Sequence, residues 1–341
     1  MTTARKESKD KPGLHSRNKH RKGYDFAALT SAVPELTRFL ITTPAGTPSI
    51  DFANPRAVRM LNRALLQMDY GINSWDIPAD YLCPPIPGRA DVIHHLADLL
   101  SEGKEGQIPR GHQLLALDIG IGANGVYPLI GHAEYGWRFV GVDTDPAALA
   151  NVKRILEANP GQAKAIELRH QTVADNIFKG VVQPGEKFDL TLCNPPFHAS
   201  AREASAATER KWKNLGKSGK GTTNTPPRLN FGGKCIELWY PGGETAFLER
   251  MIRQSAAIAR QCLWFTTLVS KADNLRYVET ALARLRPAPC DIRIIPMRQG
   301  QKQSRLVAWT FLSKAERASW RKSRWADNDS APVTPPHISL A

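Results

Sequence analysis

The chain has no apolar run of about eighteen residues, the length a membrane-crossing helix needs. No apolar signal stretch follows Met1, because charge begins at Arg5 and Lys6. A cytoplasmic protein with no membrane partner is therefore expected. The five cysteines, Cys83, Cys193, Cys235, Cys262 and Cys290, are widely spaced and include no C-x-x-C pair. That argues against a disulfide frame and against a zinc site, and no metal is expected. No internal repeat marks a solenoid or an array.

Positive charge is plentiful and unevenly placed. The formal net charge is +14 over 341 residues. Residues 1–22 hold eight Lys/Arg against two Asp/Glu, residues 202–234 again eight against two, and residues 313–325 five against one. These three stretches together exceed the whole net charge, so the remainder is slightly acidic. Basicity confined to segments is the footprint of a polyanionic partner. The candidate contacts are Arg17, Lys19, Arg21 and Lys22 in the first stretch and Lys211, Trp212 and Lys213 in the second. Cations interleaved with aromatics suit single-stranded nucleic acid.

Hydrophobic residues make up 42% of the chain, ample for a large core. Residues 1–23 read as a disordered basic arm and 24–110 as a helical N-terminal extension. Within the extension, Asn54 caps a helix that Pro55 opens, with Val58, Leu61, Leu65 and Met68 at helical spacing. A second helix is expected over 91–100, with Arg89 just before it. Residues 111–312 read as an α/β domain and 313–341 as a basic tail, a short helix followed by disorder. Inside the α/β domain, 198–242 is a long basic loop; a loop of that length in a compact domain is functional or disordered.

The domain is organised around Phe188–Phe197. An apolar strand ends there in Asn194-Pro195-Pro196-Phe197, and two prolines hold the end in a stiff, extended corner. Earlier, Leu114–Ile119 runs through Asp118 into Gly120 and Gly122, where bare backbone lets a ligand approach closely. The strand Trp137–Asp143 ends in an acid placed to take both ribose hydroxyls of an adenosine ligand. A third strand over 163–169 is followed by Gln171 and Thr172, where an adenine edge can be read. Cys262–Val269 is a fifth strand. Cys290–Met297 and Ser304–Phe311 are joined by too short a link for a crossover helix, so they pair antiparallel.

In an open α/β sheet, ligands sit beyond the carboxyl ends of the strands. There the Asn194 amide oxygen and the Pro195 carbonyl can each accept one N–H of a flat amine, and Phe197 can stack on its ring. Such an amine is a poor nucleophile because its lone pair is delocalised. Two acceptors favour the pyramidal form, whose charge pattern grows in the transition state. His198 reads as a loop histidine rather than a base.

D-x-G-x-G at Asp118–Gly122, the acid Asp143, N-P-P-F at Asn194–Phe197 and the final hairpin resemble the Rossmann-like, S-adenosylmethionine-dependent methyltransferases that act on amines. Further stretches, Pro12–His15, Phe52–Pro55, Pro85–Asp91, Leu229–Gly233 and Gln299–Arg305, resemble the bacterial 23S ribosomal RNA adenine-N6 methyltransferases of the RlmF type. The resemblance spans about residues 11–312 and reaches, more faintly, the eukaryotic enzymes that methylate an adenine of spliceosomal small nuclear RNA. It departs at 219–227, which looks like an insertion, and beyond 325.

The resemblance implies an α/β, Rossmann-like methyltransferase fold: a seven-stranded, mostly parallel sheet with a C-terminal antiparallel hairpin, plus the helical extension. It implies methyl transfer from S-adenosylmethionine to N6 of one adenine, with Asn194, Pro195, Pro196 and Phe197 as the catalytic motif. The cofactor would lie on Arg89, Asp118, Gly120, Gly122, Asp143, Gln171 and Asn194, with Arg89 on its carboxylate. Lys302 and Arg305, in the hairpin stretch, join the RNA-binding candidates. The expected partner is 23S rRNA or a large-subunit assembly intermediate, and the expected state is a monomer. Three other readings share the corner. A protein glutamine N5-methyltransferase needs a partner that explains the basic segments. A DNA adenine methyltransferase differs only in 2′-hydroxyl contacts. A non-catalytic RNA-binding factor is disfavoured by the intact Asp143 and Asn194.

Overall fold

The computed structural model describes residues 13–102, 106–200, 202–203, 239–299 and 302–325. Parallel strands β3 (Leu115–Ile119), β4 (Arg138–Asp143), β5 (Ile166–His170), β6 (Phe188–Cys193) and β7 (Cys262–Val269) are followed by the antiparallel pair β8 (Asp291–Gln299) and β9 (Lys302–Thr310). The sheet order is β5-β4-β3-β6-β7-β9-β8, so the strand order reverses beside β3. Every residue of β6 and β7 is buried. Helices cover both faces, which is why these strands read as apolar runs without alternation. The expected seven strands and terminal hairpin are present.

The helices of the sheet follow the strands in turn. α4 (Val126–Tyr135) follows β3, α5 (Pro146–Glu157) and the one-turn α6 (Pro160–Ala163) follow β4, α7 (Gly243–Ser255) precedes β7, and α8 (Leu275–Arg284) follows it. The N-terminal extension adds α1 (Phe26–Ala32), α2 (Pro55–Tyr70), α3 (Ile86–Ser101) and a small hairpin, β1 (Leu40–Thr42) with β2 (Pro48–Ile50). α2 starts as expected: the Asn54 side chain accepts from the Arg56 and Ala57 N–H groups, and Gly71 ends the helix at φ +66°. The extension and the sheet share one apolar cluster, running from Leu29 through Leu65 and Ile93 to Leu129 and Phe139.

Two expectations change. The arm expected to be disordered over 1–23 is folded from residue 13, and residues 1–12 lie outside the described residues. His15 N–H and Asn18 Nδ2 donate to Asp91 Oδ1 at 2.7 and 2.9 Å. Arg17 spans α3 and α4, donating to Asp98 (2.6 Å), the His94 carbonyl (2.9 Å) and Tyr135 Oη (3.1 Å). Lys19 pairs with Glu134 at 2.6 Å. The arm fails to stay disordered because α3 and α4 offer buried acceptors that its cations and amides satisfy. Arg17 and Lys19 are therefore engaged within the protein, while Lys22 is exposed.

The short basic helix expected at the start of the tail is present as α9 (Lys314–Arg324), opened by a capping box between Ser313 and Glu316. Trp320 and Trp325 are buried. Residues beyond 325 lie outside the described residues. Arg89, expected just before its helix, sits inside α3, which starts at Ile86 because Pro87 is tolerated in the first turn.

His94, on α3 beneath the strap of residues 13–23, is expected to make the fold acid-sensitive. It is buried against Tyr135, its Nδ1 2.7 Å from the hydroxyl. Burial, with the charges of His15 and Arg17 beside it, lowers its pKa to about 3. The unfolded chain binds a proton near the usual histidine value and the folded chain does not. Stability is thus intact above that value and falls as the pH drops through the window toward 3, by up to about 1.4 kcal/mol per pH unit. Thermal unfolding followed from pH 7 to pH 4 should show this slope, and His94→Gln should flatten it.

Candidate active site

The parallel register gathers the expected site on one edge. Ile119 lies opposite Val142 on one side and Cys193 on the other. Gly120, Asp143 and Asn194 are each the next residue along, at the carboxyl ends of β3, β4 and β6, where the strand order reverses. Asp143 pairs with His170, so Gln171 follows at the end of β5.

Backbone geometry shapes the turn after β3. Gly120, Gly122 and Gly125 all have positive φ, +74°, +63° and +59°. With Gly120 and Gly122, Gly125 completes a G-x-G-x-x-G spacing. Asp143 accepts the Gly122 N–H on Oδ2 (2.8 Å) and the Asp145 N–H on Oδ1 (2.9 Å). The N-terminal extension pins the same turn: Trp75 Nε1 donates to the Asn124 carbonyl at 2.8 Å, and Tyr81 Oη donates to Asp145 at 2.6 Å. The cofactor edge is therefore built jointly by the extension and the sheet.

Asp118 carries the electrostatics. It is buried, and neither carboxylate oxygen has a hydrogen-bond partner among the described residues. Burial, with the charge of Asp143 adding and Arg89 opposing, pushes its pKa up to about 8. Burial likewise raises Asp143, against the N–H groups it accepts. Two desolvated acids on one edge favour a ligand bearing positive charge and N–H donors. Beyond the Gly120 Cα, in the direction a side chain would take, no atom of the other described residues lies within 4 Å, its chain neighbours aside. An orphaned acid and an open cradle fit S-adenosylmethionine, whose sulfonium and ammonium are cationic.

At the end of β6, Asn194 is half-buried and its amide has no hydrogen-bond partner among the described residues; Pro195 is buried, and Pro196 and Phe197 are half-buried. The loop that follows is clasped at its base, where His198 bridges Trp239 and the Tyr240 N–H donates to the His198 carbonyl at 3.0 Å. Gln171 is brought to the edge, but its amide is spent locally. It donates to the Lys179 carbonyl (2.9 Å) and accepts the Val173 N–H (3.1 Å), shaping its own loop. Arg305 pairs with Val269, the last residue of β7, on the same edge as Asn194. Lys302 lies three residues toward the hairpin turn. Lys211, Trp212 and Lys213 lie outside the described residues.

Gly120→Ala tests the cradle. The protein should fold, at a cost of about 1–2 kcal/mol for a side chain at positive φ. Cofactor affinity measured by calorimetry should fall by about tenfold or more, because the new methyl occupies ligand space. Unchanged affinity would place the ligand elsewhere.

A reversing parallel sheet with a glycine turn, two acids and an Asn-Pro-Pro-Phe corner on one edge defines a Rossmann-like, S-adenosylmethionine-dependent methyltransferase. The comparisons agree and go further. A family model described as "RNA methyltransferase" matches residues 8–313, and the chain belongs to that family. It is 58% identical over 312 residues to "Ribosomal RNA large subunit methyltransferase F" of Dechloromonas aromatica, covering 92% of this chain and 91% of the relative. It is equally 58% identical to the protein of that name from Ectopseudomonas mendocina, covering 92% of each. Among solved structures it is similar to the human METTL16 catalytic domain in complex with the MAT2A 3′UTR hairpin 1, with a TM-score of 0.73 at 27% identity, over 89% of this chain and 96% of that one.

Proposed function

We propose that this enzyme methylates N6 of one adenine in large-subunit ribosomal RNA. The observation that carries the reading is the Asn194 corner, whose amide no described residue engages, on the same edge as Asp143 and the orphaned Asp118. The named relatives at 58% identity support ribosomal RNA as the substrate.

Asn194 Oδ1 and the Pro195 carbonyl accept the two N6 protons, and Phe197 supports the face of an adenine splayed from its RNA. Holding both protons draws density toward nitrogen and exposes its lone pair. Bound S-adenosylmethionine supplies an electrophilic methyl group. Asp143 holds the ribose, Asp118 the cationic amino-acid end, and the backbone at Gly120 and Gly122 leaves room for both. The attacking nitrogen gives up its proton to water after transfer, so His198 is not required as a base.

Gly13 packs on Arg298 of the terminal hairpin; a Cβ there would meet Arg298 Cβ at 2.7 Å. The basic residues 1–12 precede Gly13 in the sequence, and 202–234 lie in the sequence between the bridged His198 and Trp239; Lys302 and Arg305 of the hairpin complete the cationic set. Together they provide sequence-independent phosphate contacts around one specific base. The enzyme acts in the cytoplasm as a monomer, on 23S rRNA or an assembly intermediate, and needs no metal. Labelled cofactor incubated with total RNA and total protein from a strain lacking the gene should mark RNA. Label in protein alone would overturn the reading in favour of glutamine methylation.

A further inference from the structure

Of the two buried tyrosines of α4, Tyr127 stands in the first turn, just past the glycine loop, and has no role in the mechanism above. Tyr127 is 6% exposed. Its hydroxyl accepts Nη1 of Arg89, and the guanidinium carbon lies 5.1 Å from the centre of its ring. Arg89 comes from α3 of the extension and Tyr127 from the first turn of α4, just past the glycine loop. Asp118, Cys193 and Tyr127 are all buried, Asp118 in β3 and Cys193 at the end of β6, and Arg89 opposes the rise in the Asp118 pKa.

We propose that Tyr127 is a positioning residue that aims Arg89 at the carboxylate of the cofactor; this rests on the reading of the site as an S-adenosylmethionine site. A guanidinium has five N–H donors in a rigid plane. The Tyr127 hydroxyl on Nη1 fixes its rotation, and the ring, its centre 5.1 Å from the guanidinium carbon, limits where it can move. The edge formed by Nε and Nη2 makes no hydrogen bond to any described residue. That edge is the one that takes a carboxylate through two parallel bonds. The ligand carries one carboxylate, and Arg89 is the cation whose charge reaches Asp118 at the same edge. Without the hydroxyl, Nη1 turns toward its next acceptor and the paired edge swings away. Arg89 keeps its charge but loses its aim.

The test separates aim from structure by the ligand used. Tyr127→Phe keeps the ring, and the probes are S-adenosylmethionine and its decarboxylated analogue, which lacks only the carboxylate. The variant should lose about tenfold in affinity for S-adenosylmethionine, the scale of one hydrogen bond to a charged group, and hold the analogue as the wild type does. Arg89→Ala should abolish the preference for the carboxylated ligand, and Tyr127→Phe should add nothing to it. Equal losses for both ligands, or no loss for either, would overturn the role of Tyr127 while leaving the methyltransferase reading in place. A wild-type protein that binds neither ligand would instead overturn that reading, and this inference with it.

Discussion

Asn194→Ala is expected to bind S-adenosylmethionine with near wild-type affinity and to lose turnover by about 10²–10³-fold, the scale of removing one preorganised transition-state contact. The reason is geometric. The Asn194 amide stands at the end of β6, half-buried and without a protein partner among the described residues, so its deletion relaxes nothing else. The contact it makes strengthens as the amine becomes pyramidal, so the loss falls on kcat more than on substrate affinity. Calorimetry for the cofactor and single-turnover methyl transfer check the two halves separately. Unchanged turnover would show that the corner does not hold the reacting amine.

The largest effect on stability is expected at Asp189. This acid lies in β6 with no solvent exposure. It accepts from Trp320 Nε1 (2.8 Å), Trp325 Nε1 (3.0 Å), the Leu115 N–H (2.8 Å) and Arg324, through Nε and Nη2 at 3.2 Å each. One carboxylate thus ties the start of β3, the middle of the sheet and α9. Asp189→Ala takes a charged acceptor away from the half-buried Arg324 guanidinium and from three N–H donors, and should cost about 3–5 kcal/mol. Chemical denaturation checks it. Asp189→Asn, which keeps an acceptor and the shape, should cost less. Equal stability of all three proteins would mean that α9 is held by its apolar contacts alone.

Much of this molecule is legible in the sequence because parallel strands buried on both faces cannot be written any other way. β7 was readable to the residue, and Asn54-Pro55 announced α2 through a cap and a first-turn proline. The edge on which Asp143, Gly120 and Asn194 meet followed from strand ends alone. What stayed hidden depends on partners distant in sequence. The segment 13–23 has the composition of a disordered arm, and only the acceptors on α3 and α4 give it a place. The stretch 313–325 is basic, yet Asp189, more than a hundred residues away, collects its indoles and Arg324. An acid inside an otherwise apolar strand was the available signal, since a buried charge needs partners somewhere in the chain. Tyr127 gave no signal at all, because a tyrosine on an apolar helix face is ordinary core. Gln171 was correctly placed beyond β5, but its amide serves the loop it belongs to.

The most direct measurement is nucleoside mass spectrometry of large-subunit ribosomal RNA from a strain lacking the gene, after incubation with S-adenosylmethionine and either the wild-type enzyme or Asn194→Ala. N6-methyladenosine should appear with the wild type and be absent with the variant. A methyl group on a different nucleoside, or equal N6-methyladenosine from both proteins, would contradict the assignment of the Asn194 corner as the place where an adenine amine is held and methylated.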